Sequence, residues 1–68
     1  MFHSHDRIAR FWSAYLGNTI NAHDVACMMA LLKIARTQCG ETNPDDYIDI
    51  AGYAAIAGEL VEIERVKE

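Results

Sequence analysis

Two aspartates three positions apart, Asp46 and Asp49, are the residues of this chain whose type and spacing best suit chemistry. On a helix, positions i and i+3 share a face, so the two carboxylates stand side by side. Paired acids of this kind either hold a divalent metal or a metal-bound phosphate, or close an ion-pair cluster with nearby cations. Stepping along the helix places Asp46, Asp49, Tyr53, Ile56, Leu60 and Ile63 on one stripe, so the acids continue an apolar face. The field of a helix N-terminus accounts for Asp45 and Asp46 but fades after the first turn. Asp49 lies beyond it and needs a cation, a hydrogen-bond donor or water.

Other reactive side chains give weaker patterns. His3 and His5 sit two apart near the N-terminus, where both rings are expected in solvent, and His23 falls in the first turn of a helix with an exposed ring. Cys27 and Cys39 match no zinc or redox spacing. A helix through Cys27 separates them by ~18 Å at 1.5 Å per residue, too far for a bridge. Two free thiols point to a reducing compartment, most simply the cytoplasm. Ser4 and Ser13 have no His–carboxylate relay, and no Gly-rich phosphate loop is present, so no catalytic residue is assigned.

The elements that must position the acids are helices. Ile8, Phe11, Trp12, Tyr15 and Leu16 give an amphipathic helix over about 4–16, capped by Ser4 and stopped at Gly17-Asn18. Asn21 with Asp24 forms a capping box, with Ile20 and Val25 as a hydrophobic staple, for a second helix over 21–37. Its VACMMALLKIA stretch is apolar nearly all round, which predicts a central helix with Cys27, Met28 and Met29 in the core. Gly40 ends it, Glu41–Asn43 link, and Asn43-Pro44-Asp45-Asp46 starts a third helix over 44–66. Ala51, Gly52, Ala54, Ala55, Ala57 and Gly58 narrow that helix, and two glycines inside it imply a close neighbour.

Short connections make neighbours antiparallel, so the expected fold is an all-α three-helix bundle in one domain, residues 1–68. Antiparallel packing brings Lys33, Arg36, Arg7 and Arg10 towards Asp46 and Asp49, predicting an ion-pair cluster that joins all three helices. With 51% hydrophobic residues the chain carries more apolar surface than three short helices cover, which predicts completion as a homodimer or against another protein.

The charge is uneven. Up to Arg36, four cations face two acids, a balance of +2; from Thr37 on, two cations face eight acids, a balance of −6. A net charge of −4 disfavours direct nucleic-acid binding, and no apolar run is long enough for a membrane span. The expected partner surface is the acidic third helix, through Asp45, Glu59 and Glu62, together with Trp12 and Tyr15 on the aromatic edge of the first.

The blocks RIARFWSAYLG, DVACMMALLKIAR and DDYIDIAGYAA, in this order, resemble a small domain family of unknown function found in phages and prophages. Members of that family usually carry a further N-terminal helix and a tyrosine-glycine-aspartate turn ahead of the first block. More distantly the arrangement is similar to all-α nucleoside triphosphate pyrophosphohydrolases of the MazG type, which hold magnesium with Glu-x-x-Glu on one helix and Glu-x-x-Asp on the next. Asp46-Tyr47-Ile48-Asp49 matches the second pair; the second helix, whose one acid is the capping Asp24, lacks the first.

The resemblance implies a phage protein that acts by binding another protein without catalysis and without cofactor, such as an inhibitor of a host defence system (an anti-CRISPR protein) or of a replication factor. Two alternatives stand beside it. One is a minimal MazG-like pyrophosphohydrolase with Asp46 and Asp49 on magnesium and Lys33 or Arg36 on phosphate. The other is a structural subunit whose role is oligomerisation.

Overall fold

Three helices, α1 (His3–Leu16), α2 (Ala22–Thr37) and α3 (Pro44–Lys67), follow one another in the computed structural model, which describes residues 3–40 and 43–67. Glu41 and Thr42 of the expected linker, Glu68, and the side chains of His3 and Lys67 lie outside the described residues.

The helix ends follow the sequence signals closely. Gly17 takes φ 71°, and its N–H closes α1 on the Ser13 carbonyl at 2.9 Å. Asn21 Oδ1 accepts from the Asp24 N–H at 2.8 Å while Asp24 Oδ2 accepts from the Asn21 N–H at 3.1 Å, the reciprocal capping box. Gln38 caps the other end of α2, and Gly40 supplies the positive φ of 96° that turns the chain away. Asn43 starts α3 by accepting the Asp45 N–H at 3.0 Å on its side chain and the Asp46 N–H at 2.9 Å on its carbonyl. The expected cap at Ser4 is replaced by a start one residue earlier, so Ser4 lies inside the first turn.

The all-α expectation holds, with α2 in the middle. It packs along α3 and, over a shorter stretch, on α1; the backbones of α1 and α3 do not approach each other. The result is an open arrangement measuring 41 × 28 × 16 Å, with a radius of gyration of 13.2 Å. A compact chain of this length has a radius near ~11 Å.

So open an arrangement buries little. The sealed apolar interior of the described residues is Ala9, Ala22, Val25 and Ala26. Met28 is 39% exposed and Tyr15 89%, while Met29, Cys27 and Trp12 are half-buried. The core position expected for Met28 therefore fails, because no neighbour among the described residues covers that side of α2, and α1 turns inward a face other than its expected apolar stripe. That face runs through His5, Ala9, Trp12 and Ser13, leaving Phe11 and Tyr15 outside. Ser13 ties α1 to the following turn: its Oγ lies 2.6 Å from the Ala9 carbonyl and accepts from the Ile20 N–H at 2.8 Å. The narrow middle of α3 also meets nothing, since a Cβ added at Gly52 or Gly58 would have no atom within 4 Å. The close neighbour expected there is not among the described residues. The solvent-accessible surface is 5176 Å². A folded monomer of this mass exposes ~4,300 Å², so roughly 900 Å² is in excess.

Candidate functional site

The carboxylates singled out in the sequence meet cations across the α2–α3 seam. Lys33 Nζ lies 2.9 Å from Asp49 Oδ2, and Arg36 Nε lies 3.5 Å from Asp46 Oδ1. The two pairs step together, one turn apart on each helix, and fix the antiparallel register of α2 against α3. Asp46 is 4% exposed, the deepest acid among the described residues; its charge also sits in the first turn of α3, where the free N–H groups favour a negative group. Asp49, past that field, takes its counter-charge from Lys33, as its position demands.

Arg7 and Arg10 do not join them. Both are exposed on α1 and make no ion pair among the described residues, so the cluster joins two helices and not three. The two arginines lie on the exposed face of α1, whose backbone does not approach that of α3.

The donor set does not fit magnesium as it stands. Each carboxylate is turned onto a cation, and among the described residues no three His, Cys, Asp or Glu side chains gather as a metal site would require. Asp24, the remaining acid of α2, is held in the capping box at the opposite end.

His5 is a residue that sequence reasoning missed. It was expected in solvent near the N-terminus; it is 8% exposed, with its ring tilted 57° against that of Tyr53 at 6.2 Å between centroids. Neither ring nitrogen has a hydrogen-bond partner among the described residues. The signal was present, because His5 stands four residues before Ala9 and seven before Trp12, in phase with the buried face of α1. His23 is half-buried as well, with Nε2 3.7 Å from the Cys27 Sγ one turn on.

The expected partner residues spread over two surfaces. Asp45, Glu59 and Glu62 are exposed on α3, and Tyr15 is exposed on α1 beside Phe11, which is 69% exposed, and the half-buried Trp12. The register of the ion pairs places Leu60 level with Ala22, so the last turns of α3 run past the start of α2. There Glu59, Glu62, Ile63 and Val66 line an open groove of about 500 Å³, with Glu62 also 3.2 Å from Arg65.

Fold and seam together define a small all-α domain whose central acids are committed to holding two helices in register. The chain belongs to the family described as domain of unknown function DUF6378, which matches residues 1–61. It is similar to the Gene 55 protein of Mycobacterium phage L5, 48% identical over 58 residues, which are 84% of this chain and 37% of that protein. It is also similar to the Gene 55 protein of Mycobacterium phage D29, 40% identical over 55 residues, 81% of this chain and 36% of that protein. The chain thus spans just over a third of the length of these relatives. No solved structure matches. These matches carry the phage likeness, whereas the likeness to MazG-type enzymes rests on the Asp46–Asp49 spacing alone. No helix among the described residues is long and apolar enough to cross a membrane.

Proposed function

We propose that this chain is a non-catalytic phage module that binds a basic surface of a host protein through the end of α3. The observation that carries it is the groove at Glu59, Glu62, Ile63 and Val66, where exposed acids flank exposed aliphatic side chains on a stretch of helix that runs beyond its neighbour. Acids bordering an apolar strip offer both terms of protein recognition: long-range attraction for cations, and area to remove from water. A host defence or replication component acting on nucleic acid presents the complementary basic face. Asp46 and Asp49 support the same reading from the other side, because acids neutralised by Arg36 and Lys33 are poorly placed to trap a metal–triphosphate.

The test uses the immobilised chain in host-cell lysate, beside a Glu59→Lys/Glu62→Lys variant, over a salt series. A protein retained by the wild type, released by salt and lost from the variant supports the proposal. Equal retention by both chains overturns it, and so does nucleoside triphosphate turnover with magnesium that Asp49→Asn abolishes.

A further inference from the structure

The central helix carries a second, uncharged surface. Met28, Leu31, Leu32 and Ala35 recur at i, i+3, i+4 and i+7 on the side of α2 turned away from both neighbours. Leu31 is 63% exposed, Leu32 48% and Met28 39%, with Ile34 at the flank 45% exposed. The charges closest to the stripe along α2 are accounted for: Asp24 is in its capping box, and Lys33 and Arg36 face α3. A face of this kind on the central helix of a domain is ordinarily covered.

We propose that a second copy of this chain covers it, stripe against stripe, about a two-fold axis passing between Leu31 and Leu32. Three features favour a copy over another occupant. The excess surface of roughly 900 Å² per chain is close to the ~800 Å² that each partner loses in a standard interface. The stripe is neutral, so it can face itself without bringing like charges together, as a self-complementary two-fold contact requires. Antiparallel crossing of the two α2 helices sends the acidic ends of α3, with Glu59, Glu62 and Glu64, to opposite ends of the pair, so a net charge of −4 per chain is not concentrated. Two copies then enclose the stripe in a shared core, whereas one copy leaves it in water. The acidic end of α3 stays open, so this surface and the one proposed for a host protein succeed or fail separately.

Sedimentation equilibrium of the 68-residue chain from micromolar to millimolar concentration decides the matter, with helicity followed by circular dichroism. The expected mass is twice 7.6 kDa. Leu31→Asp counts once on each side of a two-fold contact and should weaken association by at least ~100-fold with helicity kept. Tyr15→Ser, on α1, should leave it unchanged. If the aspartate variant loses helicity, the Leu31→Ala/Leu32→Ala double variant replaces it, since alanine preserves helix propensity. A wild-type chain that stays monomeric at millimolar concentration overturns the proposal. So does a dimer indifferent to the α2 variants, or an open series of larger species.

Discussion

Replacing His5 by leucine should stabilise this protein, although the change removes a polar residue from its sequence at a buried position. The imidazole is 8% exposed and neither of its nitrogens has a partner among the described residues, so folding strips water from one donor and one acceptor without return. Each such uncompensated atom costs about 1–3 kcal/mol. Against that gain stand the ring contact with Tyr53, worth about 0.5–1.5 kcal/mol, and an imperfect fit of the branched side chain, up to about 1.5 kcal/mol. The balance is a net gain on the order of 1–2 kcal/mol, and each 1 kcal/mol raises the melting temperature of a domain this small by about 4–8 °C. Thermal unfolding by far-ultraviolet circular dichroism, at one protein concentration for both chains, measures it. A leucine variant destabilised by more than ~1 kcal/mol would show that the imidazole earns hydrogen bonds in the folded state, and the account of a stranded ring would be wrong.

Three further outcomes follow from the same geometry. Gly52→Ala and Gly58→Ala should each add about 0.5–1 kcal/mol in urea unfolding, because a Cβ meets nothing at either site; a loss would reveal a neighbour pressed against that face. Arg36→Ala should cost about 1–3 kcal/mol by leaving the buried Asp46 without its cation, and adding Asp46→Asn should restore most of it; a double variant no better than the single would refute the pairing. Asn21→Ala should cost about 0.5–2 kcal/mol through the lost capping box, whereas Ser4→Ala should change little, as Ser4 is no cap here.

Legibility in the sequence tracked how local each signal was. Asn21 with Asp24, Gly17, Gly40 and Asn43-Pro44 work within a turn or two of chain, and the structure reproduces them with the expected partners. Asp49 with Lys33 was also accessible, since the short connection dictates an antiparallel pair and the pair dictates register. What failed needed the third helix. Spacing alone gave α1 several near-equivalent faces: Phe11 and Tyr15 fit a helical stripe as well as His5, Ala9 and Trp12 do, and the inward choice depends on where α2 lies. The same ignorance of the α1 position brought Arg7 and Arg10 to the acids on paper. Apolar composition, for its part, foretold more greasy surface than the chain covers, without saying which helix would carry it.

The mismatch in helix length has a kinetic side. Spanning Pro44–Lys67, α3 is eight residues longer than α2, which spans Ala22–Thr37, and the pairs at Asp46 and Asp49 place all but one residue of the excess at its C-terminal end. Amide protons from Val61 onward should therefore trade with deuterium long before those opposite Val25, in a gradient that runs down the rod towards its C-terminus. A ligand that clasps this tip would be read most directly as slowed exchange there, with the amides around Val25 left at their original pace.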